Sequence, residues 1–298
     1  SRPINFHLEA LKKMGAKIKI KSGYVVARSK KGLKGCKIRF PEISVGATEN
    51  ILLAACFSKG KTKLSNCAIE PEIQDLVIFL KRLGFKIKWT GRRNLEIEGI
   101  KKTKAAIHKI IFDRIEAGTY MVAALLTNGK LKIKNIDLNI MSVVIKLLKK
   151  MGAKIFKRKN YVVVSGSKIL KSSVIKTNPY PGFPTDLQAQ LMVLMTKARG
   201  ISKIKESIFE NRFMHVSELR RMGAEIEIKG SKAIIFGKSR LKGAELMATD
   251  LRASVCLVLA GLVASNKTTV NRIYHLDRGY EQIEKKLSKC GAKIKRIK

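Results

Sequence analysis

Apolar and lysine residues alternate in short runs along this chain, as in "AKIKIKSGYVVARS" (16–29). That period of two predicts strands with one face turned inward and a polar turn returning each as a hairpin. Just before each run stands a helix-like phrase, with leucines three and four residues apart, that ends in glycine. The phrases are "LKKMGAKIKI" at Gly15, "LKRLGFKIKW" at Gly84, "LKKMGAKIFK" at Gly152, "LRRMGAEIEI" at Gly223 and "LSKCGAKIKR" at Gly291. The glycines lie 69, 68, 71 and 68 residues apart, which marks a repeat. Each is placed to cap its helix in the left-handed conformation.

A second element recurs between the phrases, an almost wholly apolar helix followed by a short strand. Its copies are "VGATENILLAACFSKGKTKLSNC", "EAGTYMVAALLTNGKLKIKNI", "TDLQAQLMVLMTKARGISKIKESIF" and "TDLRASVCLVLAGLVASNKTTVNRI". The unit therefore reads βαβαββ, about 70 residues and near the minimum that holds a core. A helix apolar on most sides belongs inside, and an alternating strand belongs at a surface. The expected class is α/β, with helices inside and sheets outside, the inverse of an α/β barrel. The opening at "SRPINFH" and the stop at "KIKRIK" both fall within the motif, which leads us to expect further pieces upstream.

Composition narrows the function. The 298 residues, 45% hydrophobic, suffice for two compact domains. The net charge is +40, mostly from 45 lysines spread over strand-like pieces, and an anionic partner has to be considered. Aromatics are only 6% and no base-reading motif appears, so nucleic acid is disfavoured and solvated strand faces account for the lysines. Cys36, Cys56, Cys67, Cys256 and Cys290 form no CxxC pair and have no histidine at ligand spacing. We expect reduced core thiols, no disulfide framework and no metal. No secretory leader opens the chain and no apolar run reaches the roughly 18 to 20 residues of a membrane span, so a cytoplasmic protein is expected.

At "PTDLQAQ", "IFENRFMHVSELRRMGA", "MATDLRAS" and "RIYHLDRGYE" the sequence resembles the UDP-N-acetylglucosamine 1-carboxyvinyltransferases. "SVGATENILLAA" and "FENRFMH" are similar to this branch and not to the sister 5-enolpyruvylshikimate 3-phosphate synthases. The resemblance implies an inside-out α/β barrel of βαβαββ modules in two domains, with the active site in the cleft between them. It puts the crossover near "IIFDRIEAGT", giving a partial first domain at 1–111 with two modules and a second at 112–298 with three. The implied reaction moves the enolpyruvyl group of phosphoenolpyruvate to the 3-hydroxyl of UDP-N-acetylglucosamine and releases phosphate. That is the first committed step of peptidoglycan synthesis, and so of cell-wall biogenesis, cell shape and division. It needs no cofactor, and a monomer is expected.

Matched motif by motif, Asp186 is the implied general base. The competing reading is an Asp in a helix's first turn, stabilised by the helix dipole by about 0.3 to 1 kcal/mol. Arg252 and Arg278 are the implied grips on phosphoenolpyruvate, suited to carboxylate and phosphate by the bidentate guanidinium. Asp250 is expected to orient its neighbours, and Arg212 and Glu210 to be structural or domain-closure residues. Ile208 is an implied backbone contact to the sugar nucleotide. Arg2, Pro3, Ile4, Asn5 and Phe6 correspond to the segment that wraps uridine and diphosphate, with Arg2 also facing phosphoenolpyruvate. Glu42, Ile43, Ser44 and Val45 form a second wall. Asn5 stands where the family usually has Asp, and Glu42 where it has Lys, an awkward charge beside a diphosphate. "EPEIQDL" (70–76) and "DRIEAGT" (113–119) are expected as interdomain scaffolding, and the four histidines as structural.

The family's Lys-Asn pair, a further arginine and the loop general acid do not occur among the 298 residues, so this stretch alone is expected to be inactive or nearly so. An alternative of a different class is a non-catalytic basic remnant of the fold that holds nucleic acid or an anionic polymer, with affinity falling steeply in salt.

Overall fold

The computed structural model describes residues 4–297, which divide into two compact units. One comprises Ser1–Ile111 with Pro179–Pro181, the other Phe112–Asn178 with Gly182–Lys298.

The first unit opens with helix α1 (Asn5–Lys13) and the hairpin β1 (Lys17–Lys21) and β2 (Tyr24–Arg28). A complete module follows: β3 (Lys37–Arg39), α2 (Val45–Cys56), β4 (Lys61–Ser65), α3 (Pro71–Arg82), β5 (Lys86–Gly91) and β6 (Asn94–Glu98). Its sheet runs β3-β4-β6-β5, with β3 and β4 parallel and the other pairs antiparallel. Ile51, Leu52, Leu64, Leu95 and Ile97 fill the core between α2 and the sheet.

The second unit runs through α4 (Arg114–Leu126), β7 (Lys130–Lys134), α5 (Ser142–Lys150), β8 (Lys154–Lys157) and β9 (Tyr161–Ser165). It continues with β10 (Val174–Lys176), a 3-10 turn at Thr185–Leu187, α6 (Gln188–Lys197), β11 (Ile201–Lys205), α7 (Val216–Arg221), β12 (Glu225–Lys229) and β13 (Lys232–Phe236). Last come β14 (Glu245–Met247), α8 (Leu251–Gly261), β15 (Thr269–Asn271), a 3-10 segment at Ile273–Arg278 and α9 (Ile283–Lys289). The sheet β10-β11-β13-β12 repeats the strand order of the first unit.

Helices lie inside, as the polarity pattern requires. Every residue of α6 from Gln188 to Thr196 is buried, and α6 packs on both α4 and α8. The strands of the packed sheets turn alternate residues outward: on β11, Ser202 and Ile204 are buried while Lys203 and Lys205 are exposed. The hairpin β1–β2 departs from the expectation of one inward face, since all its residues but the half-buried Ile18 are exposed. All five repeat glycines have positive φ, from +91° to +113°. At each, the glycine N–H and the next residue's N–H return to carbonyls three and five residues back, at 2.8–3.1 Å, the Schellman arrangement. A second contact repeats with it. The carbonyls of Met14, Leu83, Met151 and Met222, each just before a cap glycine, accept from the amides of Lys34, Lys104, Lys171 and Lys242 at 2.8–3.0 Å. Each helix end is thereby tied to the chain that follows its hairpin.

Three expectations need correction. No strand lies between β6 and α4, so the module of α4 lacks its first β. The phrase at Gly291 forms its cap but continues as irregular chain, because it meets no second strand to pair with among the described residues. Cys56, Cys67 and Cys256 are buried thiols, the first two pushed up to about 12 by burial, but Cys290 is exposed and Cys36 only half-buried. Among the described residues, no helix is long and apolar enough to cross a membrane.

Candidate active site

The four inner helices begin differently, and the difference locates the site. Ser44 caps α2 by accepting from Ala47 N, Asp113 caps α4 through Ile115 N and Glu116 N, and Asp250 caps α8 through Arg252 N and Ala253 N. The helix α6 has no side-chain cap, although Asp186 stands at the position of Asp250 in the matching "TDL" phrase. Its carboxylate turns to two guanidiniums instead. Oδ1 accepts from Arg212 Nη2 at 2.6 Å and Oδ2 from Arg252 Nη2 at 2.8 Å. The helix-dipole reading of Asp186 therefore does not describe what its oxygens do.

Arg252 reaches the carboxylate from the first turn of α8, anchored by its own N–H on Asp250 at 2.7 Å. Arg212 comes from the turn after β11, where it lies over the Phe209 ring at 5.2 Å. Burial pushes the Asp186 carboxyl up, but Arg252, Arg212 and, more distantly, Arg114 outweigh it and hold the group below the usual carboxylate range. For Arg252, burial lowers the guanidinium and Asp186 more than offsets it. Arg212 and Arg252 converge on the one Asp186 carboxylate, an arrangement suited to an anion that brings its own oxygens.

Behind Asp186 lies a buried carboxylate that the sequence reading did not single out. Glu206, 3% exposed, accepts from Thr177 Oγ1, Ile208 N and Phe209 N through Oε1 and from Thr185 Oγ1 through Oε2, at 2.8–3.2 Å. It joins the turn carrying Asp186 to the turn carrying Ile208. Deeper in the second unit, Thr119 of α4, Gln190 of α6 and Tyr280 share hydrogen bonds of 2.9–3.3 Å.

Of the other named residues, Arg278 is exposed, and Asp277, its expected alternative partner, is instead paired with Arg296 at 2.5 Å. Arg2 and Pro3 lie outside the described residues. In the first unit, Ile4 and Asn5 are exposed at the start of α1, while Phe6 is half-buried against the core. Glu42 is exposed, Ile43 half-buried, Ser44 is the cap of α2 and Val45 its exposed first residue. The packing of α1 on α2 brings these two segments together, with the His7 ring beside Gly46. Glu206 carries no local pattern in the sequence, whereas Arg114 lies in the "DRIEAGT" motif expected as scaffolding and Arg212 is expected as a structural or domain-closure residue.

A family profile described as EPSP synthase (3-phosphoshikimate 1-carboxyvinyltransferase) matches residues 1–287. The UDP-N-acetylglucosamine 1-carboxyvinyltransferase of Pelagibacter ubique (strain HTCC1062) is 61% identical over 297 residues, spanning all of this chain and 71% of that protein. The enzyme of the same name from Geobacter metallireducens is 52% identical, with 100% of this chain and 71% of that protein covered. The crystal structure of the enolpyruvyl transferase NikO from Streptomyces tendae superposes with a TM-score of 0.88 at 25% identity, covering 99% of this chain and 73% of that one. EPSP synthase from Acinetobacter baumannii shares the fold, with a TM-score of 0.75 at 21% identity and coverage of 100% and 72%. With a relative this similar along the whole chain, on the helices-inside architecture described above, the chain belongs to the UDP-N-acetylglucosamine 1-carboxyvinyltransferases of the EPSP synthase family.

Proposed function

We propose that this protein transfers the enolpyruvyl group of phosphoenolpyruvate to the 3-hydroxyl of UDP-N-acetylglucosamine, and that the second unit carries the base and the anion grip. The observation that carries this reading is the Asp186 carboxylate held between Arg252 and Arg212. In the addition step the sugar oxygen bonds to C2 of phosphoenolpyruvate, its proton passes to Asp186, and C3 takes a proton from a general acid that the motif match does not place among the 298 residues, giving a tetrahedral ketal. In the elimination step C3 returns that proton, the double bond re-forms as the bond from C2 to the phosphate oxygen breaks, and phosphate leaves with the proton first taken from the sugar. Cationic groups stabilise the anions throughout.

The geometry adds a sequence to these events. Both Asp186 oxygens accept from guanidiniums, which makes the carboxylate a weak base. A phosphate and a carboxylate arriving together compete for Arg252, Arg212 and Arg278. As the guanidiniums turn toward them, Asp186 loses the partners that depress it and its basicity rises, at the moment when the acceptor hydroxyl needs it. Because the N–H of Ile208 is committed to Glu206, its carbonyl is the backbone group left for the sugar nucleotide. Arg2 to Phe6 and Glu42 to Val45 supply the nucleotide contacts of the first unit, with Glu42 exposed to solvent. Cytoplasmic work on peptidoglycan precursors follows from the substrates.

The test is phosphate release that depends on both substrates, measured for the 298-residue chain and for the complete gene product, with calorimetric binding of UDP-N-acetylglucosamine. Asp186→Asn should cut turnover by about 10² to 10⁴-fold while the sugar nucleotide still binds. An unchanged rate would remove Asp186 from the mechanism.

A further inference from the structure

The modules can be compared with one another, and the comparison isolates two positions. In each, the residue after the strand that follows the inner helix occupies one register: Asn66 after β4, Asn135 after β7, Glu206 after β11 and Arg272 after β15. Asn66, Asn135 and Arg272 are all left-handed there, with φ of +59°, +55° and +56°, and Glu206 is not. Opposite them, Phe40, Thr177 and Ala248 are equivalent, since each donates its N–H to the last residue of that same strand, Ser65, Lys205 and Asn271, at 3.0–3.1 Å. In the first unit the contact across this register is a neutral one, Asn66 Nδ2 to the Phe40 carbonyl at 2.9 Å. In the module of Asp186 both members have changed together, to a buried carboxylate and a buried threonine that donates to it at 2.8 Å.

Burying a carboxylate is costly unless its oxygens are satisfied, and all of the donors here are neutral. The fold tolerates that cost at one register position only in the module that holds the base. We infer that Glu206 is a positioning residue for the transferase: Oε2 fixes the Thr185–Asp186 turn, and Oε1 fixes the Ile208–Phe209 turn that presents the sugar-nucleotide contact and leads to Arg212. This rests on the reaction proposed above. Glu206 touches no reacting atom in this scheme; it sets the distance between the base and the acceptor sugar. Ser207 ties the Ile208–Phe209 turn to Thr177 a second time, its N–H donating to Thr177 Oγ1 at 2.9 Å and its hydroxyl to the Thr177 carbonyl.

The two oxygens can be tested separately. Thr185→Val removes only the hydroxyl on Oε2, so kcat should fall about 10-fold with the KM for UDP-N-acetylglucosamine within about 2-fold of wild type, a loss of alignment without loss of binding. Glu206→Ala also frees the Ile208 and Phe209 amides, and should lower kcat and raise that KM by about 10-fold. Glu206→Gln keeps an acceptor oxygen for the Oε1 donors and an amide that the Thr185 hydroxyl can accept from, so it should recover both values to within about 3-fold. These are read as steady-state phosphate release by the complete gene product, with thermal melts to confirm folding; Thr185→Val serves if Glu206→Ala does not fold. A wild-type protein that neither binds the sugar nucleotide nor releases phosphate overturns the reaction itself. Wild-type turnover combined with folded Thr185→Val and Glu206→Ala proteins that lose only thermal stability overturns the role of Glu206 alone.

Discussion

At the scale of single residues, the site is a contest between burial and charge, and His215 shows it as clearly as Asp186. The histidine is wholly buried at the start of α7, its Nε2 without a hydrogen-bond partner. Burial pulls its pKa down to about 4, against Asp250, which favours the charged form, while Arg212 opposes it. The folded value lies below the ordinary one of about 6.5, so the unfolded chain takes up a proton first as the pH falls. The stability contributed by a neutral His215 is complete above about pH 6.5 and is lost progressively down to about pH 4, a span worth about 3 kcal/mol. Melting curves should show His215→Gln less sensitive to acid than wild type across that window, and equal slopes would remove His215 as the cause. For Asp186 the sign is that of a depressed carboxylate: its ionised form persists below the ordinary carboxylate range in the ligand-free protein.

At the scale of elements, the parts that could be read from sequence are those fixed by local geometry. A glycine at the end of an amphipathic helix has one physical reason to recur, the left-handed cap, and all five recurrences are caps. Apolar helices belong inside, and α4, α6 and α8 are largely buried, while α2 buries one side and leaves Val45 and Leu53 exposed on the other. The pairing of Asp186 with Arg212 and Arg252 was beyond such reading, because the arginines lie 26 and 66 residues away on other elements. Glu206 was hidden for a related reason: four neutral donors around a carboxylate leave no charge pattern to notice. The caps also differ in what surrounds them. A Cβ on Gly15 would meet nothing within 4 Å, whereas one on Gly152 would lie 3.0 Å from the Ile169 carbonyl. Gly15→Ala should therefore cost about 1 to 2 kcal/mol, the left-handed strain alone, and Gly152→Ala measurably more. Equilibrium urea unfolding compares the two, and equal losses would mean that the crowding at Gly152 relaxes without cost.

At the scale of the whole molecule the dominant quantity is the net charge of +40. Some lysines on the sheets of the first unit meet acids, as Lys63 and Lys88 do with Glu96, but β7 presents Lys130, Lys132 and Lys134 opposite Ser165, Val163 and Tyr161. Self-repulsion on this scale opposes folding and is screened within about 10 Å at 0.1 M salt. The melting temperature should therefore rise as sodium chloride is increased from about 10 to 300 mM, in contrast to proteins held by surface ion pairs. A flat or falling profile would show that the lysines are far enough apart not to interact.

The missing cap on α6 has a consequence for how this chain can change. A side-chain cap is worth about 1 kcal/mol, and three of the inner helices have one. The fourth has the same acid at the same step of the repeat, turned instead to Arg212 and Arg252. Any variant that swings this aspartate back onto the helix gains durability and gives up the base proposed for the reaction. Selection for heat tolerance and selection for turnover thus pull one side chain in opposite directions, and Asp250 is what the stable choice looks like.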